Sequence, residues 1–230
     1  MLEGVSAGED YCEQCRLLRI ACVCQYRPTI ASAIEFCLLT HETEYRKPTN
    51  TGRLIADCVK CTRTYTWSRT ALDSSLQREL ADPYYQHWLV YPSEDVGQKE
   101  RITPLERQIK DSEGVAQKKH VFILLDATWQ QSAKMFRKSP YLNNLPILSL
   151  SPECLSQYHL RRGAQAHHLC TAEVAIELLN LVGEKENASL LQDYFLVFSQ
   201  HYMAARSGHA VKQESEQMRR LLKEHHNEVN

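Results

Sequence analysis

Glycine is scarce in this chain. There are eight in 230 residues, and none stands in a G-x-G-x-x-G or G-x-x-x-x-G-K pattern. The usual signatures of a dinucleotide-binding turn and of a phosphate-binding loop are therefore missing, which weighs against a common Rossmann-type methyltransferase. Long apolar runs are missing too. None approaches the roughly 18 residues needed to cross a bilayer, so no membrane segment is expected. The opening residues, MLEGVSAGEDYCEQC, show no basic stretch followed by an apolar one. Without such a leader a cytoplasmic location is expected. Net charge is almost absent, at −1, which argues against a protein coated in basic charge. Repeats and low-complexity tracts are absent as well. The remaining balance, 43% hydrophobic and 24% charged, suits a soluble globular domain with room for one small appendage.

Cysteine, by contrast, is plentiful. Nine of them in a chain of this kind point to metal or buried thiols and away from a disulfide framework. Cys12, Cys15, Cys22 and Cys24 form a C-x2-C-x6-C-x-C set. Two close pairs can bring four thiolates to one tetrahedral ion. Zinc is the default because it accepts four sulfurs and needs no redox partner, with an iron–sulfur cluster as the alternative. Four protein ligands leave no open position, so the role is structural. Residues 11–30 are read as this small appended metal module. Residues 31–206 form the main domain, and 207–230 a charged C-terminal helix or tail that frays or projects.

The main domain alternates strands and helices, the mark of an α/β fold with a largely parallel sheet. Strands are expected at 34–40, 63–67, 87–91, 121–125 and 146–150. Helices are expected near 53–59, 71–80, from about 127–129 onward, at 170–182 and at 187–206. Polar corners follow three of the strands: Asn50-Thr51-Gly52, Ser93-Glu94 after Tyr91-Pro92, and Asp126-Ala127-Thr128-Trp129. In open α/β sheets the carboxyl ends of strands are where ligands bind. From Pro92 the chain stays hydrophilic for 28 residues, a length that suits a lid, a binding segment or disorder.

Asp126 leaves a strand of apolar residues, and partial burial there would raise its pKa and make it a better proton acceptor. Thr128 with Gln131 makes a capping box for the next helix, so Asp126 is not needed for that task. Along this helix Trp129, Ala133 and Phe136 share one face, and Gln130, Lys134 and Arg137 another. Between residues 118 and 165 seven Lys/Arg face two acids. Lys134, Arg137, Arg161 and Arg162 in that stretch suit a polyanionic partner. His159, His167 and His168 nearby have no acidic or Cys partner at metal spacing, and read as solvated or facing that polyanion.

Five motifs in this order resemble those of the DTW-domain family. They are the N-terminal cysteine set, the block Asn50-Thr51-Gly52-Arg53-Leu54, the block Tyr91-Pro92-Ser93-Glu94-Asp95, Asp126-Ala127-Thr128-Trp129, and Thr171-Ala172-Glu173. Val174 stands where that family more often has Ala. The resemblance implies a SPOUT-like, knotted fold and a tRNA-uridine aminocarboxypropyltransferase. Such an enzyme takes the 3-amino-3-carboxypropyl group of S-adenosylmethionine and places it on N3 of a tRNA uridine. On that reading Asp126 accepts the N3 proton. Asn50, Thr51, Gly52, Ser93, Glu94, Thr128, Trp129, Thr171 and Glu173 hold the cofactor. Arg53, Lys134, Arg137, Arg161 and Arg162 meet the tRNA. The rival expectations are a SPOUT-type RNA methyltransferase and a non-catalytic, zinc-containing RNA-binding protein.

Overall fold

The structure is a computed structural model, and it describes residues 10–92, 99–103, 118–150 and 169–227. Five strands, β1 (Glu35–Thr40), β2 (Thr62–Thr66), β3 (Tyr85–Val90), β4 (Lys119–Asp126) and β5 (Ile147–Leu148), form one sheet in the order β2-β1-β4-β3-β5. Every pairing is parallel. β4 is central, and its last residue, Asp126, pairs with Thr40 at the end of β1.

The apolar runs of β1 and β4 are continuous because both faces of the sheet are covered. Phe36, Leu38, Phe122 and Leu124 point to one core, and Cys37, Leu39, Val121 and Ile123 to the other. The first core is closed by helices α1 (Gly52–Cys58), α4 (Thr171–Leu181), α5 (Lys185–Arg206) and α6 (Glu216–Asn227). The second is closed by α2 (Ser74–Ala81) and α3 (Trp129–Lys138). Local chemistry sets the helix starts. Asp73 accepts from the Ser75 and Leu76 N–H groups and begins α2 there, later than an apolar count from Ala71 suggests. The Thr128–Gln131 capping box begins α3 as the spacing predicts.

Two segments sit closer to the main core than their sequences suggest. Cys15, Leu17, Val23, Tyr26 and Ile30 are buried in the same cluster as α1, α4 and α5. The cysteine segment is thus packed into the domain, where the sequence suggests an appended module. α6 does not project. Met218 and Leu221 are buried, and Arg220 reaches Asp193 (3.3 Å) and Ser189 (2.7 Å) on α5.

Candidate functional site

The carboxyl end of β4 gathers three separated stretches of chain around one carboxylate. Asp126 is 2% exposed. Its Oδ2 accepts from Asn50 Nδ2 at 2.7 Å and from Thr40 Oγ1 at 3.3 Å, and its Oδ1 accepts from Thr171 Oγ1 at 2.9 Å. The start of α1 comes so close that a Cβ on Gly52 would lie 2.5–2.6 Å from the Asp126 carboxyl atoms. Only glycine fits at that distance. The glycine therefore admits the aspartate.

The flanking groups hold one another in place. Asn50 Oδ1 accepts from the Arg53 N–H at 2.9 Å, and its amide also lies 3.4 Å from Glu44 Oε2. Glu44 is fully buried and paired with Lys47 at 2.6 Å. Thr51 Oγ1 accepts from the Ala172 N–H, joining the start of α1 to that of α4. Glu173 Oε2 takes the Cys170 N–H at 2.8 Å, a capping contact. Burial pushes the Cys170 thiol well up, so it stays protonated and is no nucleophile near neutral pH. Thr128 is engaged with Gln131, and Trp129 is half-buried on the first turn of α3.

Asn50, Thr51, Gly52, Asp126, Thr171 and Glu173 are thus brought together at one sheet edge, with Thr128 and Trp129 beside them. Ser93, Glu94, Arg161 and Arg162 lie outside the described residues, as do His159, His167 and His168. Lys134 and Arg137 are exposed on α3. Arg53 is placed apart from them. Its guanidinium lies over the Phe198 ring at 5.3 Å, its buried Nε and Nη1 have no hydrogen-bond partner among the described residues, and burial lowers its pKa. Arg53 therefore faces α5 and the interior. Thr40 and His41 belong to the site although no motif names them. They end β1, and the rule that nominates Asp126 at the end of β4 nominates them equally.

The four cysteines form a compact set of donors. The Sγ atoms of Cys12, Cys15, Cys22 and Cys24 all lie within 4.8 Å of one another, with Cys12–Cys24 at 3.6 Å and Cys15–Cys22 at 3.7 Å. Arg16, at φ 59°, makes the tight turn after the first pair. Burial raises the Cys12 thiol, but N–H groups of Cys15 and Gln14 and the neighbouring thiols bring it down to about 6. The set fits a four-sulfur metal ion.

Fold and site together define an α/β protein with a parallel sheet, a polar carboxyl-edge centre and a cluster of four cysteines able to hold a metal. A family model described as DTW domain matches residues 9–203, and the chain belongs to that family. It is also similar to tRNA-uridine aminocarboxypropyltransferase 2 of Drosophila melanogaster, 28% identical over 191 residues, covering 77% of this chain and 70% of the relative. No solved structure matches. Within the described residues no helix is long and apolar enough to cross a membrane.

Proposed function

We propose that this protein is a tRNA-uridine aminocarboxypropyltransferase that moves the 3-amino-3-carboxypropyl group of S-adenosylmethionine to N3 of a tRNA uridine, releasing 5′-methylthioadenosine. Membership of the DTW family and the named activity of the Drosophila relative support the reaction class. The observation that carries it to this site is the meeting of three family motifs on one buried carboxylate.

S-adenosylmethionine supplies a sulfonium that activates its attached carbons. The protein has to aim the right carbon at the uracil and take the N3 proton. Alignment is worth several kcal/mol of barrier and a positioned base roughly 10²–10⁴-fold. Asp126 and Glu173 give the floor of the site the negative charge that suits a sulfonium and an ammonium. Asn50, Thr51, Gly52, Thr128, Trp129 and Thr171 shape that floor, and Ser93 and Glu94 complete the cofactor contacts. Asp126 is the proton acceptor. At 2% exposure it is served by the half-buried Thr171 hydroxyl, which receives the N3 proton as its own proton passes to Asp126 Oδ1. Lys134 and Arg137, with Arg161 and Arg162, meet the tRNA. The ion of the cysteine cluster is zinc, the compartment is the cytoplasm, and the fold is SPOUT-like and knotted. The all-parallel sheet, with the start of α4 bonded to the end of the central strand, supports that topology.

Incubation with labelled S-adenosylmethionine and bulk tRNA, followed by digestion to nucleosides, tests the reading. An aminocarboxypropyl mass gain on uridine with release of methylthioadenosine is expected. Release of S-adenosylhomocysteine would mean methyl transfer, and tRNA binding without cofactor affinity would mean an RNA-binding protein.

A further inference from the structure

Beside the Asp126 centre, the ends of β1 and β2 carry a pair of stacked rings that none of the family motifs contains. His41 and Trp67 lie 5.6 Å apart between centroids at 21°, and both are half-buried. Each is fixed to the frame. The His41 N–H donates to the Asp126 carbonyl at 3.0 Å, and the Trp67 N–H to the Thr40 carbonyl at 2.8 Å. Trp67 Nε1 donates to the buried Ser139 Oγ at 2.8 Å, at the end of α3. His41 Nδ1 accepts from the Thr43 N–H and lies 3.4 Å from Gln131 Nε2, in the first turn of α3. The pair therefore runs beside α3 from its first turn to its last. Tyr45, 37% exposed, extends the aromatic edge, with its hydroxyl on Thr66.

Cations border these rings. Lys134, Arg137 and Lys138 on α3, Arg46 after Tyr45, and Arg69 after Trp67 are all exposed, and none has an ion-pair partner among the described residues. Glu42 is the exposed acid in the same loop. Rings anchored at their edges, with cations around them, form the kind of platform on which unpaired nucleotides stack while their phosphates meet charge. An acidic peptide would use the cations and leave the rings idle. We propose that the His41–Trp67 stack, with Tyr45 beside it, receives an unpaired RNA nucleotide next to the target uridine. The inference rests on the reading of tRNA as substrate.

The test uses full-length, metal-loaded protein, 3′-labelled bulk tRNA and a single-stranded oligouridine, with Kd read by anisotropy. His41→Ala and Trp67→Ala are each expected to raise both Kd values by about 5- to 100-fold. The salt dependence should stay unchanged, because no phosphate contact is removed. Trp67→Phe, which keeps a ring, should stay within about threefold of wild type, and so should Ser139→Ala, which removes only the anchor. Calorimetric binding of S-adenosylmethionine to Trp67→Ala should match wild type, showing that the variant is folded. A wild type that modifies tRNA, with His41→Ala and Trp67→Ala binding RNA as tightly, overturns the platform and leaves the transferase reading standing. So does a Ser139→Ala defect as large as that of Trp67→Ala. Wild-type protein that neither binds tRNA nor consumes the cofactor sinks the transferase reading itself.

Discussion

Asp126 meets two demands with one carboxylate. Its oxygens tie Asn50, Thr40 and Thr171 together, and the proposed chemistry asks the same group to take a proton. The Thr171 hydroxyl is where the two can be separated. Thr171→Ser keeps a hydroxyl and should retain turnover within about tenfold. Thr171→Val should fall by about 10²–10⁴-fold, as Asp126→Asn should. Single-turnover rates with unfolding midpoints measured alongside would decide, and equal activity in the Ser and Val variants would remove the hydroxyl from the path. Gly52 makes a purely steric prediction. Gly52→Ala places a methyl against the Asp126 carboxylate. It should destabilise the protein by about 1–3 kcal/mol, read by denaturant unfolding, and weaken cofactor binding. Asp126 was legible in the sequence because a polar residue ends a long apolar strand. Thr40 and His41 end a strand of the same kind, but pattern alone does not reveal that β1 lies directly beside β4. Gly52 was legible as part of a polar corner, though not as the residue that Asp126 packs against, since Asp126 lies far away in sequence.

At the scale of elements, the amino ends of the strands are held by charge, opposite the site. Arg63 on β2 forks to Glu79 on α2 at 2.7 and 3.0 Å and also pairs with Glu35 at the start of β1. Lys119 at the start of β4 pairs with the same Glu35. Tyr65 donates to Glu79 at 2.7 Å, and His87 on β3 lies 3.8 Å from it. Burial pushes the Glu79 carboxyl up, but the nearby His87 ring and the hydrogen bonds from Arg63 and Tyr65 bring it down from 4.5 to about 2. A carboxyl lowered by folding stabilises fully above its unfolded value and loses that contribution as pH falls through its folded one. Glu79→Gln should therefore cost about 2–4 kcal/mol near neutral pH, a gap that shrinks below about pH 4.5 and closes near pH 2. Urea unfolding of both proteins across that range would show it, and a pH-independent gap would refute it. No spacing rule announces this network, because its members come from four strands and a helix whose neighbours the sheet order decides. Local signals were enough for α3, whose Thr128–Gln131 cap is written within four residues.

At the scale of the whole molecule, the cysteine cluster and the core beneath the Asp126 edge are one body. The apolar residues between and after the metal pairs, Leu17, Val23, Tyr26 and Ile30, are buried with Leu54, Ile55, Phe195 and Phe198. His201 on α5 shares a hydrogen bond with the Ala21 carbonyl at 3.2 Å and meets the Tyr26 ring edge-on. The cysteine spacing could announce an ion, but the docking was hidden, because short turns with scattered apolar residues look the same whether free or packed. An appended module would unfold alone when its ion is lost. A module that supplies part of the main core should take the domain with it, since the binding energy of a structural metal is folding energy. Removing the metal with a thiol-compatible chelator should lower the melting temperature by roughly 10 °C or more in a single cooperative transition. Circular dichroism, which follows the helices, and tryptophan fluorescence, to which the buried Trp88 of the sheet contributes, should melt together. Cys22→Ser should behave like the chelated protein and gain nothing from added zinc. If a small early transition leaves the sheet melting at its original temperature, the segment is an independent unit and its shared core contributes little. If the two probes move together, the metal also supports the Asn50–Gly52 corner, because the α1 residues Leu54 and Ile55 that follow it pack in that same core. Cofactor affinity should then fall with metal content.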